Sequence, residues 1–296
     1  MKISKLGSID GSEKYAFIVE SGARIEAAFF TVLGRERPHV ACVSTQLGCA
    51  VGCRFCAAGL GLFMRNLTAE EIMLEIDTIL SDRDRDAVLS AGFEVSFMGM
   101  GEPLANLTAV LEVIRRLGQS EPRITRVSVS TAGPSSRIHA LTSMIPITPR
   151  VHLQISLHAT DEETRRMLVP CAPDSIENLL NAGRRFHAAT GDSVCLNYVL
   201  LDGINDQASD IAWLAALDWS GFYLKVSQLN RVNGMPPHLH GASFDDILCF
   251  SERLSHHGVP HKVFVGDGLD VDASCGQLVA VAREIPIQRT ALVSIR

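Results

Sequence analysis

The stretch CVSTQLGCAVGCRFCAAG, residues 42–59, places four cysteines within fifteen positions. Cys49, Cys53 and Cys56 have the spacing C-x3-C-x2-C, and Cys42 stands alone upstream. Three thiolates leave one iron of a cubane 4Fe–4S cluster without a protein ligand, and a cluster needs such an open iron to bind a substrate or cofactor directly. The alternatives are a zinc site completed by a distant fourth ligand, or buried cysteines that bind no metal.

Composition predicts an ordinary soluble globular protein. The 296 residues are 47% hydrophobic and 20% charged, which suits one large or two small domains. The apolar runs are too short to span a membrane and no signal-peptide pattern opens the chain, so a cytoplasmic location is predicted. The net charge of −6 argues against general attraction to nucleic acid. Eight cysteines in a cytosolic chain favour metal or redox chemistry over structural disulfides.

The pattern of apolar segments predicts the fold class. Residues 1–38 contain short strands and turns, and from His39 onward seven strand-like runs alternate with amphipathic helical stretches. Near-continuous apolar strands between such helices indicate an α/β fold with a parallel sheet. Seven strands suit a full or partial β/α barrel, and an open doubly wound sheet is the alternative. We expect an N-terminal β extension over residues 1–38 and a single domain over residues 39–296.

Three helix starts carry capping signals. Thr68, Thr160 and Asp174 each precede a glutamate by three positions. In a capping box the first side chain and the glutamate satisfy each other's backbone N–H groups. We therefore expect helices to begin at these three residues.

Small and polar residues recur where the predicted strands end. The cysteine loop follows the first strand, MGMGEP (98–103) the second, STAG (130–133) the third and SLHA (156–159) the fourth. In β/α barrels the chemistry collects at this end of the strands. Gly101 would let a ligand approach the backbone closely, and Glu102 could receive an ammonium group. Their position, one β–α unit after the cysteines, favours the open-cluster interpretation.

Seven sequence blocks resemble one enzyme family. C-x3-C-x2-C with an aromatic residue, Phe55, before the last cysteine matches the signature of radical S-adenosylmethionine (SAM) enzymes. CVSTQLGCAVGCRFC, FMRNLTAEEI, MGMGEPLANL, VSVSTAG, ISLHATDEETRRMLVP, NYVLLDGIND and DASCGQL occur in the order found in the RlmN/Cfr family. That family methylates carbon 2 or carbon 8 of adenine in ribosomal RNA. The resemblance covers nearly the whole chain and implies a partial (β/α)6 radical SAM barrel with a short N-terminal β extension.

The resemblance also implies a 4Fe–4S cluster and SAM as cofactors, and it assigns their ligands. Cys49, Cys53 and Cys56 match the cluster ligands. The positions that match the SAM contacts are Gly101, Glu102, Ser130, Ser156, Leu157, His158 and Asn230. Taken singly, these positions have ordinary structural interpretations, such as a strand-end hydroxyl, a core histidine or a turn residue.

Three further residues match the catalytic positions of the family. Cys275, in DASCGQL, matches the cysteine that the family methylates on itself, and Cys42 matches its transient disulfide partner. By this resemblance one SAM methylates Cys275, a second yields the radical that activates the S-methyl group, and Cys42 then attacks Cys275 to release the product. Glu26, in RIEAAFF, matches the base that removes the ring proton, with Glu20 as the competitor. Without the resemblance, Glu26 is an ordinary solvated strand residue.

Several features depart from the family pattern. The chain begins almost at the catalytic domain, so we expect no N-terminal helical accessory domain. Phe264 and Asp267 stand where the family has basic residues, Arg231 replaces a proline, and the tail over 283–296 is less basic. These changes reduce the phosphate-binding capacity on which RNA affinity depends. The positive residues that remain are Arg54, Arg65, Arg165, Arg166, Arg184, Arg185 and Lys225.

We therefore predict a radical SAM methyltransferase that acts on adenine in rRNA or tRNA, with carbon 2 favoured over carbon 8. A flavodoxin or ferredoxin is the expected reductant. The first alternative keeps the chemistry but acts on a nucleoside-like small molecule or another substrate that is not rRNA. The second is an iron–sulfur binding or electron-transfer protein, although electron transfer needs neither Cys42 nor Cys275.

Overall fold

The computed structural model describes residues 2–18, 22–32, 34, 36–172 and 174–279. The strands of this part are β1 (Lys2–Gly7), β2 (Glu13–Ile18), β3 (Arg24–Thr31), β4 (His39–Cys42), β5 (Gln46–Leu47), β6 (Arg65–Asn66), β7 (Phe93–Phe97), β8 (Arg126–Thr131), β9 (Arg150–Ser156), β10 (Val194–Val199), β11 (Phe222–Ser227) and β12 (His261–Phe264). The α-helices are α1 (Ala57–Leu60), α2 (Ala69–Ser81), α3 (Arg85–Ala91), α4 (Leu107–Ser120), α5 (Ser135–Thr142), α6 (Glu162–Leu168), α7 (Ile176–Thr190), α8 (Ala208–Ala216) and α9 (Phe244–His256). Short 3₁₀ helices span Pro103–Asn106 and Leu269–Val271.

Ten strands form one sheet in the order β1-β2-β3-β4-β7-β8-β9-β10-β11-β12. The strands from β4 through β12 in this order pair in parallel, and β1 to β3 form an antiparallel extension that joins β4. The two-residue strands β5 and β6 form a separate antiparallel pair. The predicted α/β class, with a parallel sheet and an N-terminal β extension, is confirmed. The parallel part has seven strands, one more than the predicted (β/α)6 barrel.

Strand pairing crosses the predicted domain boundary. Ala28 of β3 pairs with Cys42 of β4, and Thr31 pairs with His39. Both sides of residue 38 therefore contribute to one sheet. The division into residues 1–38 and 39–296 stays a prediction.

The core lies between the sheet and the helices that cover it. Every residue of β7 is buried, as expected for a strand with apolar neighbours on both faces. The buried residues of α4 follow helical spacing and are Leu107, Val110, Val113, Ile114 and Leu117. Burying each such side chain contributes about 1.5–3 kcal/mol relative to leaving it exposed. Within the described ranges, no helix has the length and apolar character needed to cross a membrane.

The helix starts agree only in part with the capping signals. Thr68 caps α2 as predicted, and its hydroxyl and the Glu71 carboxylate accept each other's backbone N–H groups. The starts predicted at Thr160 and Asp174 are each one residue early, because Asp161 caps α6 and Ser175 caps α7. Thr160 and Asp174 instead bond to residues of other segments.

The inner face of the parallel sheet is polar. A cavity of about 260 Å³ lies against it, and its polar lining includes Ser96, Ser128, His152, Gln154 and Lys225. Ser128, His152, Gln154 and Lys225 bond to one another and to neighbours on adjacent strands. For example, Tyr223 Oη and His152 Nε2 lie 3.1 Å apart. The space inside the sheet is therefore available to a ligand, and the strand ends above it carry the residues described next.

Candidate active site

The cysteine loop lies between β5 and α1. Cys49, Cys53 and Cys56 all line one cavity of about 180 Å³. The Cys56 N–H donates to the Cys53 carbonyl at 3.2 Å, and the Gly59 N–H donates to the Cys56 carbonyl at 3.0 Å. A Cβ on Gly59 would lie 2.6 Å from the Cys53 carbonyl oxygen, so only glycine lets α1 close against the loop.

The three loop thiols share a buried setting. Burial is the main cause that raises the pKa of each of them, to about 12 for Cys49. Thiolate forms of Cys49 and Cys56 raise the pKa of Cys53 further, because a neighbouring negative charge opposes its ionisation. A positively charged group bound among these thiols would reverse this balance and stabilise their thiolate forms. The site therefore suits a cationic iron centre.

The separation of the three thiols favours a cluster over a single metal ion. Among the residues that the structure describes, no three His, Cys, Asp or Glu side chains are close enough together to hold one metal ion. A cubane cluster spreads its cysteine ligands over different irons, so three thiols that line a common cavity fit it better. The residues thus fit a 4Fe–4S cluster with one open iron.

The other side of this cavity is made by the strand ends. Gly101, Glu102, Ser130, Ser156, His158 and Asn230 all line it. The seventh predicted SAM contact differs, because the Leu157 side chain is fully buried in the core and does not line the cavity. The Leu157 backbone N–H donates to the Asn197 carbonyl at 3.0 Å. The structure therefore brings six of the seven positions together around the cysteines.

Glu102 is held firmly in this cavity. Its carboxylate accepts the N–H groups of Leu104 at 3.0 Å and Ala132 at 2.9 Å. Burial raises its pKa to about 7, although these bonds act in the opposite direction. Gly101 has φ of +100°, and a Cβ there would lie 2.5 Å from the Gln46 side chain. Glycine is therefore needed at position 101 both for this φ and for close packing against Gln46. A carboxylate on the cavity wall, such as that of Glu102, can receive the ammonium group of an amino acid.

His158 is a neutral, fixed part of the same wall. It has φ of 59°, and its Nδ1 accepts the Val199 N–H at 3.2 Å. Burial lowers its pKa to about 3, so it carries no charge near neutral pH. Its ring meets Phe55 edge-on at 4.9 Å between centroids. This contact joins the fourth parallel strand to the cysteine loop.

Cys42 and Cys275 line the second cavity, of about 260 Å³, on the inner face of the sheet. Cys275 lines the first cavity as well, so it stands between the two. Cys42 is buried at the end of β4, and Cys275 is exposed in the loop that follows β12. Neither is in a disulfide. A small ligand between the cavities would therefore reach Cys275 from the cysteine-loop side and Cys42 from the other.

Hydrogen bonds with Asn230, Gln277 and Ala57 fix the loop that carries Cys275. The Asn230 side chain donates to the Cys275 carbonyl at 2.9 Å and to the Ser274 hydroxyl at 3.0 Å. The Gln277 side chain accepts the Ser274 N–H at 3.1 Å. The Gly276 carbonyl accepts the N–H of Ala57, the residue after Cys56. These bonds hold the exposed thiol at the boundary of the two cavities.

Glu26 lies apart from both of these cavities. It is 1% exposed and lines a separate cavity of about 1070 Å³. Its carboxylate pairs with Lys14 at 2.9 Å and with Arg24, and it accepts the Val279 N–H at 2.9 Å. Glu26 is therefore a buried, paired carboxylate and not the solvated strand residue considered above. The competing Glu20 is outside the described residues.

Some contributors could not be identified from sequence motifs. Asn197 and Lys225 line the first cavity, and Asn197 donates to the Ser130 hydroxyl at 3.1 Å. In the sequence, each is marked as a site residue only by being polar inside an apolar strand.

Two of the positive candidates for RNA contact have other partners. Arg65 makes a paired ion contact with Glu71 at 2.7 and 2.8 Å, and Arg165 is 2% exposed with its guanidinium on backbone carbonyls.

The chain is similar to known proteins over most of its length. The model of the Radical SAM superfamily matches residues 43–214, which implies a 4Fe–4S cluster and SAM as cofactors. A Campylobacter hominis protein named dual-specificity RNA methyltransferase RlmN is 34% identical over 92% of this chain and 78% of its own length. A Thermus thermophilus protein named probable dual-specificity RNA methyltransferase RlmN is 38% identical over 92% of this chain and 75% of its own length.

A solved structure is similar over almost the whole chain. The radical SAM methyltransferase from Sphaerobacter thermophilus superposes with a TM-score of 0.84 at 33% identity, covering 95% of this chain and 81% of that one. The cysteine loop, the strand-end cavity and these sequence matches agree with one another. The chain belongs to the RlmN/Cfr family of radical SAM enzymes.

Proposed function

We propose that this protein methylates a ring carbon of adenine in RNA, carbon 2 rather than carbon 8, through a methylated Cys275. The position of Cys275 carries the proposal, because it lines both the cysteine-loop cavity and the cavity of Cys42. A residue that carries a methyl group must reach the donor in one cavity and the acceptor in the other, so it must lie at the boundary between them. The RNA substrate is supported by the names of the relatives.

The proposed cofactor ligands follow the sequence prediction. Cys49, Cys53 and Cys56 would hold the cluster. Glu102 would receive the SAM ammonium group beside Gly101, and Ser130, Ser156, His158 and Asn230 would line the rest of the pocket. When bound, the cofactors supply a methyl group and a carbon-centred radical, with an electron from a flavodoxin or ferredoxin. Leu157 would contribute through its backbone.

Cys275 serves as the methyl carrier in this proposal. Its thiol loses a proton, and its sulfur would form a bond to the methyl carbon as the sulfonium S–CH₃ bond of SAM breaks and S-adenosylhomocysteine leaves. After the radical supplied by SAM has taken a hydrogen atom from that methyl group, the carbon forms a bond to the adenine ring. The ring carbon then gives its proton to the base, and the remaining unpaired electron would be accepted by the cluster. The substrate is then attached to Cys275 through an S–CH₂ bridge. Exposure of Cys275 at the cavity boundary gives the adenine room to approach.

Cys42 releases the product. Its thiolate attacks the Cys275 sulfur, so an S–S bond forms and the S–CH₂ bond breaks. The bonding pair passes to the carbon, which takes up a proton and becomes the methyl group. The two sulfurs are thereby oxidised to a disulfide, which an external dithiol reduces before the next turnover.

Glu26 remains our proposed base for the ring proton. Its oxygens already accept from Lys14, Arg24 and the Val279 N–H. To act as a base, Glu26 must exchange one of these partners for the substrate proton, and the adenine must extend from Cys275 to the separate cavity that Glu26 lines. This requirement makes it the assignment that most needs a direct test by the Glu26→Gln variant.

A labelling experiment tests the proposal. The protein is reconstituted anaerobically and supplied with reductant, methyl-labelled SAM and total RNA. We expect label in a methyladenosine whose chromatographic position identifies the carbon. Cys249→Ala is a matched control, because Cys249 is an exposed cysteine on α9 that lines neither cavity. Label on protein alone would contradict RNA as the acceptor.

A second candidate function keeps the chemistry and changes the acceptor to a nucleoside-like small molecule. The engagement of Arg65 with Glu71 and the burial of Arg165 favour it, because they reduce the positive surface available to phosphates. Adding adenosine and its nucleotides to the same assay distinguishes the two acceptors.

A further inference from the structure

Lys225 lies on β11 between the two cavities. It lines both the cavity of the cluster cysteines and the cavity of Cys42 and Cys275. Its Nζ donates to Gln154 Oε1 at 3.0 Å and lies 5.3 Å from the centre of the Phe264 ring. Gln154 is itself buried, and its amide donates to the Ser128 hydroxyl at 3.5 Å. These contacts direct the ammonium group toward the inner face of the sheet.

Lys225 has a neutral partner instead of an acid. Among the described residues, no carboxylate lies within ion-pair distance of its Nζ, and its hydrogen-bond acceptor is an amide oxygen. A cation held inside a protein without a counter-charge favours the formation of an anion nearby. The cavity that Lys225 shares with the thiols of Cys42 and Cys275 is also lined by Glu94 and Asp267, and Lys225 favours ionisation of the Cys195 thiol as well. Of these groups, Cys42 and Cys275 are the two that the proposed reaction uses.

The surroundings of Cys42 otherwise oppose its ionisation. Burial raises the pKa of the Cys42 thiol far above its usual range, and the nearby Cys275 and Glu75 act in the same direction. Glu75 is buried too, and one of its oxygens accepts the Ser44 N–H at 2.8 Å. The Met98 N–H and the Lys225 ammonium group oppose this effect. Lys225 is thus the charged side chain near Cys42 that favours the thiolate.

We infer that Lys225 stabilises the thiolate of Cys42, and that it thereby sets the rate at which Cys42 attacks Cys275 to release the methylated base. Lys225 acts through Cys42 and is a positioning residue. The inference rests on the proposed function, because it assigns Lys225 to the release step. In that step Lys225 gains and loses no proton, and the proton leaves from Cys42 alone.

The first test measures the thiol directly and needs no substrate. The reconstituted protein is alkylated with iodoacetamide at a series of pH values, and the rate at Cys42 is followed by peptide mass spectrometry. In Lys225→Met the rate at a fixed pH below the thiol pKa should fall about tenfold, as expected for the loss of a charge that lines the same cavity. Lys225→Arg keeps the charge and should restore most of the rate.

Lys5→Met is the control. Lys5 lies on β1, its Nζ is 3.1 Å from a carboxylate oxygen of Glu13, and it lines neither cavity. Loss of its charge should leave Cys42 alkylation within about twofold of the wild type. Equal rates in Lys225→Met and the wild type would overturn the inference. Equal losses in Lys225→Met and Lys5→Met would also overturn it.

The second test examines the release step. In a single turnover with RNA, Lys225→Met should accumulate the covalent protein–RNA adduct while methylation of Cys275 proceeds normally, and raising the pH should reduce the adduct. Lys225→Met with no adduct, in an assay where the wild type yields methyladenosine, would refute the assigned step. Absence of methyladenosine from the wild type would instead refute the proposed function, and the alkylation test would still decide whether Lys225 stabilises the Cys42 thiolate.

Discussion

The N–H of Ala57 donates a 2.7 Å hydrogen bond to the carbonyl of Gly276. Ala57 directly follows the last cysteine of the loop, and Gly276 directly follows Cys275. One backbone bond therefore joins the segment that would hold the cluster to the segment that would carry the methyl group. Because both ends are main-chain atoms, this distance depends on the path of the backbone and not on side-chain rotamers.

Cys275→Ala should retain the iron–sulfur absorbance and lose RNA methylation by at least about 10³-fold, because the carrier nucleophile is gone. Protein-bound methyl label should disappear as well. Anaerobic ultraviolet–visible spectra and scintillation counting of protein and RNA provide the measurement. Loss of cluster absorbance in this variant would place Cys275 among the cluster ligands and contradict its role here.

Cys42→Ala should still methylate Cys275 but release product at least about 100-fold more slowly. Without the attacking thiolate, the substrate stays attached to Cys275. Intact mass spectrometry after nuclease digestion should show a nucleotide adduct close to one per protein. If free methyladenosine formed at the wild-type rate, another group would have to break the S–CH₂ bond.

Gly59→Ala should lower cluster content by more than half. Its Cβ would lie 2.6 Å from the Cys53 carbonyl oxygen and 2.7 Å from the Cys53 nitrogen, and relieving such overpacking costs on the order of 1–3 kcal/mol. Iron and sulfide analysis after reconstitution measures the effect. Gly61→Ala is the control, because its nearest contacts would be ordinary ones at 3.6 and 3.7 Å.

SAM affinity should depend on pH through Glu102. Its pKa is raised by burial to about 7, so the carboxyl group gains a proton as the pH falls through 7. An ammonium ligand needs the ionised form, so SAM binding should weaken by about tenfold per pH unit below 7 and stay level above it. Equilibrium dialysis from pH 5.5 to 8.5 checks this. Glu102→Gln should bind weakly at every pH, and a retained slope in that variant would assign the titration to another group.

Local signals in the sequence were sufficient to predict the cluster loop and the strands. Cys49, Cys53 and Cys56 lie within eight consecutive positions just before α1, so no long-range contact is needed to bring them together. The parallel strands were recognisable as short, mostly apolar segments between amphipathic helical stretches, although polar residues occupy their inner face. The small residues at their ends then had to meet at one edge of the sheet.

Contacts made across the sheet could not be predicted in this way. Leu157 is next to two cavity residues, but its side chain points into the core. Glu26 matches a catalytic position in the sequence, yet its carboxylate is enclosed by Lys14 and Arg24 in a different cavity. The Lys225 ammonium group is held by Gln154, which lies on a strand 71 positions earlier in the chain. Such relationships depend on strand order and pleat, which a single segment does not reveal.

The polar inner face of the sheet has a consequence for how this protein can change over evolutionary time. The apolar contacts that hold the fold together lie between the strands and the outer helices, whereas Ser96, Ser128 and Gln154 face the hollow side. Substitutions on the hollow side remove little buried apolar surface, so they should be tolerated by the fold. New acceptor molecules can therefore be selected by altering this face while the cysteine loop and its chemistry stay the same.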